Sequence, residues 1–466
     1  MKNKVYRIAL LGVTATLLQS CFVAKDYQRP ELKTENLYRN EVVSSDSTSL
    51  ANVSWDKMFT DPLLQGYITK GLQNNLDVRI AMQNIVAAQA TMKQGEAGYF
   101  PSLSASTDWT HNKISKNSQS GTFLRDLDVD QYQIYGSLSW EADIWGKIRS
   151  NKRATNAAYF QTTAVNQAIK TQLIANIAST YFQLLSVDAQ IKVAEESLIN
   201  RNESVETILA LKQAGNVTEV GVKQTEAQKY ATELIIADLK NNVIILENMM
   251  STLLGEPSTK IERSTFDAQN SLPEITLGVP ANLLRNRPDV IAAEYNLINN
   301  FEMTNVAKSG FYPSLKITAT GGLQSIQLKE WFSANSIFAS VITGLTQPIF
   351  NQRQVRTRYE VAQANQEKAY LQFEQSLLTA GKEVSDALAQ YNNETYKFSI
   401  RQKQADALTK AADFSDELLT YGLANYLEVL TSKNDALNAK LSLVDNKFQQ
   451  YKAVIQLYRA LGGGWQ

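Results

Sequence analysis

The chain has 466 residues, and its 46 Lys and Arg residues are balanced by 46 Asp and Glu residues, which gives a formal charge of zero. This balance argues against a nucleic-acid partner, because nucleic-acid-binding proteins normally carry a basic excess. The single Cys and single His exclude an intramolecular disulfide and argue against a zinc or transition-metal site. We therefore expect neither a metal nor a cofactor.

Residues 1–20 have the organisation of a secretory signal peptide. Its positive amino-terminal region contains Lys2, Lys4 and Arg7. A mostly apolar stretch follows at 8–18 and is too short to cross a bilayer, which takes about 20 residues. Cys21 then ends the sequence LLQSC, which resembles the bacterial lipobox and implies cleavage before Cys21 and lipidation of the new amino terminus. The alternative is an ordinary cleaved signal followed by an incidental Cys.

Long segments without Gly or Pro predict unusually long helices. The segment 147–214 contains neither residue, and a helix filling it would be about 100 Å long. The predicted helices are, in chain order, 72–98, 147–214, 216–254, 288–310, 351–421 and 423–461. Because a long amphipathic hairpin cannot bury both of its faces alone, we expect it to assemble with copies of itself.

Alternating apolar and polar residues predict four β-strands. The alternation is clearest at 132–145, and the other strands begin at Leu103, Leu315 and Ile337. A bilayer-spanning sheet must close, and the smallest usual barrel has about eight strands. Four strands cannot close alone, so a membrane sheet would need two or more chains; a dimer would supply eight strands and a trimer twelve.

Tryptophan residues near the predicted strand ends favour a membrane location for these strands. They are Trp109, Trp140, Trp145 and Trp331. The alternative is a pair of soluble hairpins on a helical protein.

The chain is predicted to be a tandem duplication. AGYFPSLS at 97–104 matches SGFYPSLK at 309–316, and GNVTEVGV at 215–222 matches GLANYLEV at 422–429, each offset by about 210 positions. NNLDVRIAMQN and NRPDVIAAEYN form a third pair in the same order. Each half is a large unit of about 200 residues, unlike the short repeats of a solenoid.

Four motifs carry a family resemblance. LLRNRPDVIAAEYN, SGFYPSLKITATGGL, TYGLANYLEVLTSKNDAL and the terminal LYRALGGGW resemble the TolC-type outer-membrane efflux proteins, in particular the lipoprotein branch that serves resistance-nodulation-division (RND) pumps. The resemblance implies a mainly α fold with membrane β-structure. It implies a homotrimer in which a 12-stranded β-barrel, with four strands from each chain, is continuous with a long α-helical periplasmic barrel.

The same resemblance implies the function and the partners. The protein would be the passive exit duct of a tripartite efflux pump and would conduct small molecules such as drugs or metal ions. Its partners would be a periplasmic adaptor, an inner-membrane RND transporter and outer-membrane lipid. It would be lipid-anchored in the outer membrane of a Gram-negative bacterium and extend into the periplasm. The alternatives are a conduit for type I protein secretion and a structural envelope lipoprotein without a pore.

These elements and the resemblance divide the chain into five segments. They are the signal peptide at 1–20, a lipidated linker at 21–60, a first repeat at 61–255, an equatorial connector at 256–280, and a second repeat with the carboxy terminus at 281–466. The predicted equatorial region takes in 31–55, 256–280 and the carboxy terminus.

No enzyme signature is present in the sequence. His111 is predicted to lie between strands as a surface-loop residue, since one imidazole forms neither a triad nor a metal site. Asp126, Asp128 and Asp130 resemble the start of a calcium loop, but Ser137 stands where the loop needs Glu. We therefore predict that these carboxylates belong to a solvated loop between the first two strands.

The two helix reversals are the candidate functional sites. Gly215 and Gly422 stand where a long helix must reverse, and glycine readily takes the positive φ needed there. The resemblance places these turns at a periplasmic tip that docks the adaptor and forms the gate. The candidate gate and docking residues are Gly215, Thr218 and Glu219 in the first turn, with Tyr421, Gly422, Asn425, Glu428 and Asp435 in the second.

A ring of three Glu428 side chains would favour cations. Gly221 occupies the equivalent place in the first turn. The alternative is that these charged residues only solvate a turn.

Overall fold

A computed structural model of the protein describes residues 23–31, 37, 50–123, 128–269 and 283–465. These residues are mainly helical and include one four-stranded sheet, which confirms the predicted class. The signal peptide and Cys21 lie outside the described residues, as do 32–36, 38–49 and 270–280 of the predicted equatorial region.

The helices of the two halves match in length. The two long helices have 67 residues each, and the helices that follow them have 35 each. The α-helices are α1 (Trp55–Met58), α2 (Pro62–Asn74), α3 (Leu76–Ala97), α4 (Gln119–Phe123), α5 (Lys147–Gln213), α6 (Glu219–Leu253), α7 (Leu283–Asn286), α8 (Pro288–Ser309), α9 (Gln354–Thr420) and α10 (Tyr426–Ala460). Short 3-10 helices lie at Leu50–Asn52, Phe266–Ala268, Leu328–Glu330 and Ala334–Ser336. None of the helices in the described ranges combines the length and the apolar composition needed to cross a bilayer.

The chain forms two compact units, and four of the helices contribute residues to both. The first unit comprises Met1–Glu31, Val86–Gln161 and Ala293–Gln372. The second comprises Leu32–Ile85, Thr162–Ala292 and Phe373–Gln466.

The first unit contains the sheet, which is antiparallel throughout and has the order β1-β2-β3-β4. Its strands are β1 (Ser102–Lys113), β2 (Asp128–Ala142), β3 (Ser314–Ser325) and β4 (Ile337–Thr346). Within the described chain, β1 and β4 each pair with one strand only, so the outer side of each is an unpaired edge.

The prediction that His111 and the Asp126–Asp130 segment form a loop is wrong for the described residues. His111 belongs to β1, and Asp128 and Asp130 belong to β2, while Asp126 lies outside the described residues. His111 stands opposite Asp130, and its Nδ1 lies 3.0 Å from Oδ1 of that carboxylate. Polar cross-strand pairs therefore extend the hairpin beyond its apolar part.

The second strand also ends earlier than predicted, at Ala142. The Asp143 carboxylate accepts hydrogen bonds from the backbone N–H groups of Ile148 (2.8 Å) and Arg149 (2.9 Å) in the first turn of α5. Gly146 has φ +74°, a left-handed conformation that suits glycine. Residues 143–145, which the alternation assigned to the strand, therefore lead into the start of α5 instead.

Residues 23–31 pack against helices of the first unit. Asn305 of α8 accepts a hydrogen bond from the Lys25 N–H (3.3 Å) and donates one to the Lys25 carbonyl (2.9 Å). Further along, Arg29 makes a bidentate ion pair with Glu294, with both distances 2.6 Å. The segment is therefore fixed along α8 by backbone and side-chain bonds.

In the second unit, the helix predicted at 72–98 is divided at Asn75. The Asn75 side chain accepts hydrogen bonds from the N–H groups of Asp77 (2.9 Å) and Val78 (3.2 Å) and so caps α3. Its amide also donates to the carbonyl of Leu253, at the end of α6 (2.9 Å). Asparagine can thus begin a new helix without a Gly or Pro in the sequence.

In the second half of the chain, Arg287 stands at the position equivalent to Asn75. The Arg287 guanidinium binds Asp289 at 2.5 Å and Glu383 at 2.7 Å, and it donates to the carbonyl of Ala460, at the end of α10 (3.1 Å). In each half, the residue before one helix (α3 or α8) therefore binds the end of another helix (α6 or α10). The first half does this with an amide and the second half with a guanidinium.

A glycine stands two positions after the last residue of each of the helices α6 and α10. Gly255 and Gly462 have φ +73° and +93°, and a Cβ at these positions would lie 2.5 Å from the Asn74 carbonyl oxygen and 2.3 Å from that of Asn286. Glycine is required at both positions by its backbone angle and by the close approach of the neighbouring chain.

Replacing Gly462 with Ala should destabilise the protein by about 1–3 kcal/mol or more, because a left-handed alanine is strained and its Cβ meets backbone. Gly66→Ala is the matched control, since Gly66 lies inside α2 with nothing within 4 Å of its would-be Cβ. That control should stabilise α2 by about 1 kcal/mol. Thermal unfolding followed by circular dichroism would compare the two variants; equal midpoints would contradict the proposed crowding.

Candidate functional site at two helix reversals

Both helix reversals lie in the second unit and use the same backbone motif. At the end of α5, the N–H groups of Gly215 and Asn216 bond to the carbonyls of Lys212 and Leu211, each at 2.9 Å. The pair of bonds is the Schellman motif, which closes a helix on a left-handed residue.

The second reversal, at the end of α9, repeats this motif. The N–H groups of Gly422 and Leu423 bond to the carbonyls of Leu419 (3.0 Å) and Leu418 (2.9 Å). Gly215 and Gly422 have φ +81° and +69°, which confirms the predicted reversals. No heavy atom lies within 4 Å of a would-be Cβ at either position, so the positive φ alone favours glycine here.

The two helices that leave these turns are capped differently. Asn425 precedes α10, and its side-chain oxygen accepts the Glu428 N–H at 3.0 Å. Thr218 holds the same position before α6, but its side chain makes no capping hydrogen bond. The second turn therefore has a hydrogen bond that the first one lacks.

The charges of the two turns also differ. Glu219 forms a close ion pair with Lys212 and lies 3.8 Å from Lys223. The hydrogen bond from Lys212 and its charge lower the pKa of the Glu219 carboxyl. The negative charge of the first turn is thus compensated by nearby lysines.

Glu428 and Asp435 carry the carboxylates of the second turn. Both residues are exposed, and neither carboxylate forms an ion pair with a described residue. Asp435 lies about two helical turns along α10 from Glu428, so the structure does not bring these two together at the reversal itself.

The two turns touch through Tyr426 and Gly221. A Cβ at Gly221 would lie 3.3 Å from two ring atoms of Tyr426 and 2.6 Å from Cγ1 of Val217. Gly221 is buried, so the absence of a side chain makes room for the tyrosine ring. Sequence reasoning noted Gly221 only as a missing carboxylate and did not identify Tyr426.

The turns also expose apolar side chains. Between 52% and 75% of each of four large apolar residues is accessible: Val220, Tyr421, Leu423 and Leu427. Only Tyr421 was among the predicted site residues. Apolar residues within the turn motifs GNVTEVGV and GLANYLEV were the available signal for the other three. Such an exposed group is typical of an interaction surface.

The described part of the chain contains no group of three or more His, Cys, Asp or Glu residues placed to hold a metal ion.

Replacing Asn425 with Ala should loosen the first turn of α10 by about 1 kcal/mol, because the Glu428 N–H loses its acceptor. Amide hydrogen exchange in 419–430 should become about fivefold faster. Thr218→Ala is the matched control, since the Thr218 side chain makes no capping bond, and it should leave exchange at the first turn nearly unchanged. Equal effects of the two substitutions would mean that the Asn425 cap contributes no measurable stability.

Comparison with known proteins agrees with this architecture. The chain is 27% identical over 459 residues to the "Cation efflux system protein CusC" of Escherichia coli O6:H1, with 97% of each chain covered. It is 27% identical over 460 residues to the "Toluene efflux pump outer membrane protein TtgI" of Pseudomonas putida, with 96% of each covered. It is 26% identical over 469 residues to the "Probable outer membrane lipoprotein SilC" of Salmonella typhimurium, with 99% of each covered.

Solved structures show the same fold. A crystal structure of CusC superposes with a TM-score of 0.85 at 25% identity, covering 95% of this chain and 99% of that one. The outer-membrane channel OprN gives the same values. A family model described as "Outer membrane efflux protein" matches residues 67–256 and 279–463. These matches confirm the resemblance found in the sequence motifs, and the chain belongs to the outer membrane efflux protein family.

Proposed function

We propose that the protein is the outer-membrane exit duct of a tripartite efflux pump and passively conducts small molecules to the exterior. The observation that carries the proposal is the sheet with two unpaired edges in a chain that belongs to an outer-membrane efflux family. In this role the protein moves no cargo by itself, and the energy comes from the inner-membrane pump.

The incomplete sheet is the reason to propose assembly with further copies, and membership of the family is the reason to propose that the assembly is a homotrimer. Backbone groups on the outer sides of β1 and β4 would be unsatisfied in lipid, and each unsatisfied group would cost several kcal/mol. Pairing β1 of one chain with β4 of the next removes both edges, and three chains give a closed barrel of twelve strands.

Exposed apolar residues on the sheet fit a surface that faces lipid. On β4, Ile337, Val341 and Leu345 are 67–70% exposed and recur every four residues on one face of the strand. Phe100, just before β1, and Phe350, just after β4, are 74% and 88% exposed at the ends of the sheet, as aromatic residues at a membrane interface are.

The amino-terminal segment supports an anchor at Cys21. Ala24 lies beside Gly146, which stands in the short connection between β2 and α5, so the first described residues are close to one end of the sheet. Cys21 stands three positions before Ala24, and covalent geometry limits the distance between their Cα atoms to about 11 Å. A lipid on Cys21 would therefore start near the level at which the strands enter the membrane.

The helix reversals are proposed as the gate and as the docking surface for a periplasmic adaptor. The exposed apolar residues Val220, Leu423 and Leu427 offer surface that an adaptor could bury. Around a threefold axis, Glu428 would form a ring of three carboxylates that favours cations. The named relatives serve cation and toluene efflux, so membership of the family does not identify the cargo. We propose that the RND pump, which captures the cargo, determines which molecules are exported.

The two alternatives have distinct signatures. A conduit for type I protein secretion would be encoded beside an ABC exporter, whereas an efflux duct would be encoded beside an RND pump and its adaptor. A structural envelope lipoprotein would form no conducting channel.

Purified protein should form trimers that separate on heating and should conduct ions in a planar bilayer with a preference for cations. Glu428→Gln should move the cation-to-anion permeability ratio towards one, because the ring of charge is lost. Glu428→Asp is the matched control that keeps the charge and should keep the preference. A monomeric protein without conductance would overturn the duct, and an unchanged ratio in Glu428→Gln would overturn only the carboxylate ring.

Cells that produce the Cys21→Ala protein should incorporate no radiolabelled palmitate into it, because the chain has no other Cys to modify. Immunoblotting of the same samples would control for the amount of protein. Palmitate in the Cys21→Ala protein would overturn the anchor site and leave the channel function untouched.

A further inference from the structure

Arg201 is a buried charge that forms no ion pair with any residue in the described ranges. It lies in α5, is 2% exposed, and is among the largest fully buried side chains of the described chain. Its Nη2 is 3.5 Å from Oδ1 of Asn434, at the limit of a hydrogen bond, while Nε and Nη1 have no partner. No described carboxylate forms an ion pair with it.

This environment is unfavourable for a guanidinium. Burial lowers the pKa of Arg201. A guanidinium nevertheless stays protonated at neutral pH. Since an unpaired buried charge is strongly destabilising, a negative group should accompany Arg201 in the folded protein.

The acidic residue that lines the smaller cavity beside Arg201 is already paired. Asp416 of α9 lines the same cavity as Arg201, but its Oδ1 lies 2.8 Å from Nζ of Lys433. That ammonium also donates to Oγ of Ser204 at 2.8 Å. Asp416 is therefore paired with Lys433, and it forms no ion pair with Arg201 among the described contacts.

Two cavities adjoin Arg201. The smaller has a volume of about 20 Å³ and is lined by residues of α5, α6, α9 and α10, among them Arg201, Ser204, Thr225, Asp416 and Lys433. This volume holds about one particle of the size of a water molecule. The larger, of about 280 Å³, is also lined by Glu196, Glu203 and Asp413, whose carboxylates would repel an anion.

We propose that the smaller cavity binds a monatomic inorganic anion, such as chloride, between Arg201 and Lys433. The anion supplies the missing negative charge and links α5 to α10. The site is distinct from the duct, because it lies inside one chain and would be present whatever the channel conducts.

Crystals of the full-length protein grown in bromide would locate the anion directly. The expected result is an anomalous-scattering peak in the cavity beside Arg201. A cavity with only non-anomalous, water-like density would overturn the proposal, and so would a carboxylate of a neighbouring subunit in contact with Arg201. This measurement uses the unmodified chain and so does not depend on the folding of a variant.

Hydrogen exchange on the detergent-solubilised protein would test the same site in solution. At ten times the dissociation constant, chloride should slow exchange in 201–208 and 426–433 about tenfold relative to gluconate at equal ionic strength, since gluconate is too large for the cavity. Arg201→Met should abolish the chloride effect. Arg356→Met, which removes a 70% exposed guanidinium in α9, should retain it. No chloride effect in the unmodified protein, or an equal effect in Arg201→Met, would overturn the proposal.

Discussion

Backbone hydrogen bonding along the two outer strands is the constraint on which the architecture depends. Within the described part of one chain, β2 and β3 have partners on both sides, whereas β1 and β4 have one each. In water the unpaired groups would be solvated, but in hydrocarbon they would have no partner at all. A membrane sheet of four strands is therefore incomplete as a monomer, and closure with further copies accounts for both the oligomer and a passage through it.

The duplication preserved geometry more strictly than chemistry. Both halves keep helices of equal length and a left-handed glycine after each long helix. The residues that perform equivalent tasks have changed: Asn75 and Arg287 tie the same helix ends, but one does so through an amide and the other through a charge network. At the reversals, Gly221 accommodates Tyr426, whereas the equivalent Glu428 is an exposed carboxylate. A threefold assembly would therefore present three such carboxylates where an exact duplication would present six.

Features set by local sequence could be predicted, and features set by tertiary contacts could not. The absence of Gly and Pro in 147–213 fixed the long helix to within a residue, and the positions of Gly215 and Gly422 located the reversals. The division at Asn75 escaped prediction because asparagine interrupts a helix only when its side chain finds the right N–H groups. Arg201 carries no sequence signal of its burial, since arginine on a long helix is normally exposed. Tyr426 could not be placed because its neighbour, Gly221, belongs to a different helix hairpin.

The weak interactions at the reversals would suit the gate proposed there, which a bound partner would open. The Asn425 cap is worth about 1 kcal/mol, and the exposed ion pair of Glu219 with Lys212 contributes little. Shifting a two-state turn from 1% to 99% open takes about 5.5 kcal/mol of differential binding. Burying one large apolar side chain contributes about 1.5–3 kcal/mol, so Val220, Leu423 and Leu427 together offer a free energy of the required order. An adaptor that covers these side chains only in the open arrangement would therefore shift the proposed gate towards that arrangement.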